Sequence, residues 1–157
     1  MKHILAVVGK PKAAYVAAGL ADYAKRLGPY GGLEIRAVRA ERAAKNRAPR
    51  ELMTAEAGRL LALPAARDLV WCLDPRGQAW DSEAWAAALG KAALESRPRL
   101  IVMVGGHLGL AEAVRERAEV VLSLGPVTLP HELAALVAAE QLYRAHTILA
   151  GLPYHRA

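Results

Sequence analysis

A nine-residue segment holds the densest group of side chains suited to ligand binding and proton transfer. It reads Ser123-Leu124-Gly125-Pro126-Val127-Thr128-Leu129-Pro130-His131 and leads into a long helical pattern. A loop of this length is costly in conformational entropy to hold rigid, so a binding role would justify it. Pro130 fixes φ where the helix begins and sets the imidazole of His131 in the first turn, where it is available as a proton acceptor. The alternative is that Thr128 or His131 merely caps the helix.

A second candidate is the glycine-rich segment Gly105-Gly106-His107-Leu108-Gly109, which lies between an apolar run and a short helical pattern. Glycines at such a turn let backbone N–H groups approach a ligand closely. The spacing is neither that of a dinucleotide-binding fingerprint nor that of a phosphate-binding P-loop, and no acidic residue closes the next strand. The segment therefore indicates a ligand loop of another kind.

The C-terminal end of the chain is unusually rich in functional side chains. Glu140, Tyr143 and Arg144 are spaced to share one helix face. The last four residues include Tyr154, His155 and Arg156, whereas chain ends are usually plain and frayed. A disordered tail is the alternative interpretation.

Around these segments, strand and helix patterns alternate. Strands are expected at His3–Val8, Leu33–Ala37, Asp68–Leu73, Leu100–Val104 and Val120–Leu122, and helices at Ala13–Leu27, Arg50–Leu63, from Asp81 or Ser82 to about Glu95, at Ala111–Arg117 and at His131–Leu149. Asp74-Pro75-Arg76-Gly77 is expected to be a turn. The alternation predicts a single α/β domain over residues 1–157, with a mostly parallel sheet and helices on both faces. Ligands bind such sheets at the carboxyl ends of the strands, which singles out the loops after Leu73, Val104 and Leu122.

Charge and composition narrow the function classes. Residues 1–50 hold eleven Lys and Arg against three Asp and Glu, a net charge of +8, and the remainder carries −2. The irregular segment Ala40–Pro49 is expected to be a mobile basic loop that meets a polyanion, unless it is simply a solvated face. The single cysteine, Cys72, excludes a disulfide framework and a multi-cysteine metal site, and no metal is expected. No apolar run reaches the roughly 20 residues that span a bilayer, and the N-terminus does not resemble a signal peptide, so a soluble cytoplasmic protein is expected.

Taken in order and spacing, these segments resemble the bacterial 23S rRNA pseudouridine N3-methyltransferases of the SPOUT superfamily. The resemblance spans the whole chain and rests on Ile4–Lys10, Tyr23–Leu27, Leu73-Asp74 with Gly77, Gly105-Gly106 with Gly109-Leu110, Leu122–Leu124, Thr128–His131, Glu140–Ala145 and Pro153–Arg156. Three places depart from the family pattern, and one is Gly125-Pro126, which are not the commonest choices in their loop. Ala135 stands where an arginine is usual, and Glu132 places a negative charge where a neutral residue is usual.

The resemblance implies a C-terminal trefoil knot that binds S-adenosylmethionine, and a homodimer whose active sites are completed by the partner's C-terminal residues. The cofactor-binding residues would be Leu73, Gly106, Gly125, Pro126, Val127, Thr128, Leu129 and Pro130. The substrate would be a pseudouridine of 23S rRNA in the assembled ribosome. His131 or His155 would take the N3 proton, Arg144 and Arg156 would hold phosphate or the developing anion, and Tyr154 would stack on a base. The alternatives are a SPOUT enzyme acting on tRNA or another rRNA base, and a non-catalytic RNA-binding module.

Overall fold

The computed structural model describes residues 1–42 and 47–155. The strands are β1 (Lys2–Val8), β2 (Leu33–Val38), β3 (Leu69–Ala79), β4 (Arg99–Val104) and β5 (Val120–Ser123), and the helices are α1 (Ala14–Arg26), α2 (Pro49–Leu61), α3 (Ser82–Leu94), α4 (Glu112–Arg117) and α5 (His131–Leu149). A short 3-10 turn, Gly28–Tyr30, follows α1. The strands form one parallel sheet in the order β2-β1-β4-β3-β5. The predicted α/β fold is therefore confirmed, and the predicted bounds of α5 match those observed.

Alternation along the strands divides the interior into two cores. On β1, Leu5 and Val7 face one side and Ile4, Ala6 and Val8 face the other, all of them buried. The first core is covered by α1, α3 and α5, and the second by α2 and α4. Because both faces of the sheet are covered, its central strands are apolar throughout, as expected for buried parallel strands. The prediction of helices on both faces is also confirmed.

The prediction of a turn at Asp74–Gly77 is wrong, because β3 runs through it. Leu122 of β5 pairs with both Leu73 and Gln78, so the four residues between them bulge out without advancing along β5. A Cβ on Gly77 would lie 2.6 Å from backbone atoms of Val121 and Leu122. The glycine that looked like a turn residue is required instead by close packing of two backbones.

Helix α5 runs along the sheet from the carboxyl ends of the strands (the carboxyl edge) to their amino ends (the amino edge). It begins just beyond the carboxyl edge, after β5, and returns to the amino edge, where the Nε2 atoms of His146 and His3 are 3.0 Å apart. The predicted basic loop falls partly on residues 43–46, which lie outside the described residues. The C-terminal trefoil knot stays a prediction.

Candidate active site

A cleft of about 990 Å³ opens at the carboxyl ends of β3, β4 and β5. All three loops singled out by the parallel-sheet rule line it. Of the predicted residues, the cleft is lined by Leu73, Gly106, Gly125, Val127, Thr128, Leu129, Pro130 and His131. Pro126 is not among its lining residues. The sequence thus located the cleft, and most of the residues predicted for it line its wall.

The segment between β5 and α5 is shaped by its own short-range interactions. Gly125 has φ of +108°, a conformation that favours glycine, and its N–H donates to the Ser123 hydroxyl at 3.3 Å. α5 begins at His131 after the N-cap residue Pro130, and among the described residues no side chain accepts from its free N–H groups. This speaks against Thr128 or His131 serving merely as a helix cap. The N–H groups at the start of α5 are therefore available beside the cleft.

An arginine that sequence analysis missed ties two of the cleft loops together. Arg115 of α4 donates through Nη1 to Asp74 Oδ2 at 2.9 Å and to the carbonyl oxygen of Leu110 at 2.6 Å. Its Nη2 pairs with Glu112. Asp74 belongs to the β3 bulge and Leu110 ends the glycine loop, so one guanidinium fixes the spacing between them. We call Asp74, Leu110 and Arg115 the clasp.

The carboxylate of the clasp is strongly held in its ionised form. Asp74 is only 6% exposed, and it accepts from the backbone N–H of Arg76 at 3.0 Å and from Arg76 Nε at 2.9 Å. These bonds to Arg76, with a further contribution from Arg115, lower the pKa of Asp74 to about 2 against the opposing effect of burial. The Asp74 carboxylate is therefore ionised at physiological pH, and its charge is balanced by the guanidiniums of Arg76 and Arg115.

Two of the departures from the family pattern, Glu132 and Ala135, have structural explanations. Glu132 accepts from the backbone N–H groups of Lys12 and Ala13, each at 3.0 Å, and so ties the first turn of α5 to the two residues that precede α1. These bonds lower the pKa of Glu132. Ala135 is 1% exposed and packs in the first core, so this chain presents no side-chain charge at that point. The Glu132 carboxylate therefore links α5 to the segment before α1 and does not line the cleft.

The predicted C-terminal residues form a separate cluster. Arg144 donates to Glu140 Oε1 through Nε at 3.0 Å and through Nη2 at 2.7 Å, and the Tyr154 hydroxyl donates to the same oxygen at 3.1 Å. The Arg144 guanidinium lies 4.8 Å from the ring centre of Tyr154, and Tyr143 packs edge-on against that ring at 4.9 Å. We call Glu140, Tyr143, Arg144 and Tyr154 the C-terminal cluster. Burial, with hydrogen bonding to Tyr23 and the charge of Glu140, raises the pKa of Tyr154.

His155 follows the cluster, and its Nδ1 is buried without a hydrogen-bond partner among the described residues. Arg156, the last predicted catalytic residue, lies outside them.

Within one chain the cluster and the cleft are far apart. Arg144 follows His131 by 13 residues on the continuous helix α5, which places it about 20 Å further along the axis. The contact of His146 with His3 puts that end of α5 at the amino edge of the sheet, opposite the cleft. A single chain therefore brings His131 to the cleft and leaves Arg144 and Tyr154 away from it.

Comparison with known proteins identifies the family. A family model described as "Predicted SPOUT methyltransferase" matches residues 1–155. This chain belongs to the SPOUT methyltransferase family. It is similar to three proteins named "Ribosomal RNA large subunit methyltransferase H", from Gemmatimonas aurantiaca (43% identity over 157 residues, 99% of this chain and 100% of the relative), Limosilactobacillus reuteri strain DSM 20016 (41% over 152 residues, 95% and 96%) and Carboxydothermus hydrogenoformans (38% over 159 residues, 99% and 100%).

The resemblance noted in the sequence is thereby confirmed, and the protein is a methyltransferase. A SPOUT methyltransferase needs a methyl donor, and the cleft is the concave site at the strand ends that suits one. Among residues 1–42 and 47–155, no three His, Cys, Asp or Glu side chains are grouped closely enough to hold a metal ion. None of the helices described is both long and apolar enough to cross a membrane.

Proposed function

We propose that this SPOUT methyltransferase transfers a methyl group from S-adenosylmethionine to N3 of a pseudouridine in 23S rRNA of the ribosomal large subunit. The observation that carries the proposal is near-full-length similarity to proteins named as large-subunit rRNA methyltransferases. The net charge of +8 on residues 1–50 suits a polyanionic substrate. The proposed substrate places the protein in the cytoplasm.

S-adenosylmethionine would occupy the cleft and supply an electrophilic methyl group there. The residues present fit it. A Cβ on Gly106 would lie 3.2 Å from Val8 Cγ1 and 3.3 Å from Glu56 Oε2, so this glycine lets the cleft wall pack closely against β1 and α2 while its backbone lines a cleft of about 990 Å³. Leu73 and the run Gly125–Pro130 would surround the adenosine and methionine parts, with the clasp holding the β3 bulge and the glycine loop at the right separation.

The chain's own residues would position the acceptor and handle its proton. The N3–H of pseudouridine is weakly acidic, and its loss makes N3 a competent nucleophile. Among the two predicted bases, His131 lines the cleft. Its imidazole accepts the N3 proton, directly or through one water. Bound S-adenosylmethionine would supply the methyl group, and holding N3 in line with it would contribute up to about 7–11 kcal/mol to lowering the barrier.

A homodimer would complete each site, with Arg144, Tyr154, His155 and Arg156 coming from the partner. The separation of about 20 Å between His131 and Arg144 supports this, since the two cannot serve one cleft from one chain. Two copies of α5 packed antiparallel about a two-fold axis would place the C-terminal end of each beside the N-terminal end of the other. The partner's arginines would then hold phosphate or the developing anion, and the partner's Tyr154 would stack on a base.

The decisive experiment uses ribosomes from a strain that lacks this methylation. Incubation with labelled S-adenosylmethionine should label 23S rRNA, and nucleoside analysis should identify N3-methylpseudouridine. His131→Gln should lower kcat strongly, whereas His107→Gln, an exposed histidine of the same cleft, should leave most activity. Label in tRNA or in another base would overturn the proposed substrate. Absence of S-adenosylmethionine binding by calorimetry would overturn the enzyme proposal itself.

A hybrid experiment tests the shared site. Sedimentation at micromolar concentration should show a dimer, and a species of only 16.8 kDa would contradict it. One chain lacks residues 154–157, and the other carries Gly106→Trp, a bulky substitution in the cleft wall that should block its own cofactor site. Each homodimer should be inactive, while the heterodimer should regain one complete site and about half the wild-type activity. No rescue in verified heterodimers would show that each tail serves its own chain.

A further inference from the structure

The carboxyl edge of the sheet carries an exposed group of cations next to the cleft. Lys10 and Lys12 follow β1, and Arg39 and Arg42 follow β2; all four side chains are exposed. We call these four residues the basic shelf. In the strand order β2-β1-β4-β3-β5, the end of β1 adjoins the end of β4, where the cleft begins, and the end of β2 lies one strand further out. Neighbouring strands lie about 4.8 Å apart, so the shelf starts within about 5–10 Å of the cleft.

Specific contacts make the shelf continuous with the cleft mouth. Gly9 donates its N–H to the Val38 carbonyl at 2.8 Å, which holds the segment after β1 against the segment after β2. On the other side, Glu132 binds the backbone N–H groups of Lys12 and Ala13. Since Glu132 is the neighbour of His131, Lys12 is fixed beside the residue proposed to act on the substrate.

The nearby carboxylates are already engaged elsewhere. Glu41 is only 12% exposed and pairs with Arg47 and Arg59. Glu56 is 4% exposed and accepts from the Glu41 N–H at 2.9 Å. In the described part of the chain, no salt bridge neutralises any of the four shelf cations. Arg47, which the sequence counted with the basic loop, is held by Glu41 and does not belong to the shelf.

An exposed aromatic side chain stands at the same edge. Tyr15 lies in the first turn of α1, three residues after Lys12, and is 66% exposed. The core does not require it there, because α1 packs inward through Val16 and Leu20. Exposed aromatics set among cations are the usual means of holding unpaired nucleotides, by base stacking and phosphate pairing.

We propose that Tyr15 and the basic shelf bind the unpaired rRNA strand next to the target nucleotide. Tyr15 stacks on a flanking base, and the four cations hold the phosphates on either side of it. This inference rests on the proposed function, since it names where the same RNA lies outside the cleft. It assigns RNA binding to the chain that also supplies His131, in contrast to the C-terminal residues expected from the partner.

The test measures methylation of salt-washed, unmethylated ribosomes. Tyr15→Ala should raise KM for ribosomes about 5- to 100-fold, because stacking on one base contributes about that much to affinity, and Tyr15→Trp should restore it. The pair Lys10→Gln and Lys12→Gln should flatten the dependence of log KM on log salt by about 1.4, or about 0.7 for each lost phosphate contact. The matched controls are Leu94→Ala, whose side chain is 89% exposed on α3, and Lys91→Gln, whose side chain is 80% exposed on the same helix. They should leave both quantities unchanged.

Parallel measurements separate the possible failures. Affinity for S-adenosylmethionine should be the same in all variants. An unchanged KM in Tyr15→Ala, or dissociation of the dimer by that substitution, would overturn the assignment of Tyr15 to RNA. If wild-type protein does not methylate ribosomes, the proposed function fails. In that case, binding of a fluorescein-labelled ten-nucleotide oligouridylate tests RNA binding by the basic shelf independently of methylation. Equal affinity in the wild type and the variants would overturn the proposal that Tyr15 and the shelf bind RNA.

Discussion

Acid should destabilise this protein through one buried pair of histidines at the amino edge of the sheet. His3 is fully buried and donates through Nδ1 to the Gly32 carbonyl at 2.9 Å. Its Nε2 is then the acceptor for the Nε2–H of His146 at 3.0 Å, which fixes the tautomers of two neutral rings. Tyr30 stacks on His146 with ring centres 4.9 Å apart. No acidic group contributes to the pKa of either ring, whereas the positive amino terminus opposes protonation of both.

The size of the effect follows from the shifted pKa. Burial, together with His3 and the amino terminus, lowers the pKa of His146 to about 4 from 6.5, and burial also lowers the pKa of His3. The unfolded chain binds the proton more tightly than the folded chain does. The contribution of the neutral rings to the free energy of unfolding is therefore fully present above pH 6.5 and is lost as the pH falls toward 4. For His146, a pKa shift of this size lowers the free energy of unfolding at pH 5.0 by about 2 kcal/mol relative to neutral pH. Partial exposure of the ring reduces this to about 1–2 kcal/mol.

Chemical denaturation at pH 7.5 and pH 5.0 measures this loss. Between pH 7.5 and pH 5.0, the free energy of unfolding should fall by about 1–2 kcal/mol more in the wild type than in His146→Gln. Comparing pH differences removes the constant cost of losing the stacked ring. His107→Gln, at an exposed position, should behave as the wild type does. An identical pH dependence in wild type and His146→Gln would refute the assignment of neutral, buried rings.

Two further predictions concern the cleft. Arg115→Gln should weaken S-adenosylmethionine binding about tenfold in calorimetry, because it removes charge-assisted hydrogen bonds between two cleft loops. Arg115→Lys should retain part of the affinity. Equal affinities in the wild type and both variants would show that the clasp does not support cofactor binding. Gly77→Ala should lower the free energy of unfolding by about 1–3 kcal/mol, because its Cβ would lie 2.6 Å from the backbone of β5. Gly58→Ala, where a Cβ meets nothing within 4 Å, is the control and should not destabilise.

The elements could be predicted from the sequence because their signals are local. Unbroken apolar runs such as Leu100–Val104 indicate buried parallel strands, and these bounds recur in β4 within one residue. A helix was expected to begin at Asp81 or Ser82, and the Asp81 side chain caps α3 by accepting from the Ala84 N–H at 2.8 Å. The cleft followed from topology alone, since parallel strands deliver their carboxyl ends to one edge.

What escaped prediction depends on contacts between distant segments. Asp74–Gly77 has the composition of a turn, but pairing with β5 keeps it within a strand. Arg115 contacts Asp74, which lies 41 residues earlier in the chain, and the local sequence around either residue does not predict this contact. Glu132 looked like a charge near the site until the fold brought it 3.0 Å from backbone N–H groups 119 and 120 residues earlier. In each case a tertiary partner determines what the side chain does.

The proposed shared site also predicts where the two-fold axis crosses α5. If His131 of one chain lies beside the partner's Arg144, antiparallel pairing places the axis about midway between them, near Val137. Val137 is half-buried and lies on the outward face of α5 beside Leu133, and this apolar pair is a surface that a partner would cover. A residue on a two-fold axis meets its own copy, so Val137→Cys should form a disulfide-linked dimer under mild oxidation. Val127→Cys, at the 63% exposed position on the cleft mouth, should not, and the buried native Cys72 should not interfere. A Val137→Cys protein that sediments as a dimer yet forms no crosslink would place the axis elsewhere, and the C-terminal cluster could not reach the partner's cleft in the way proposed.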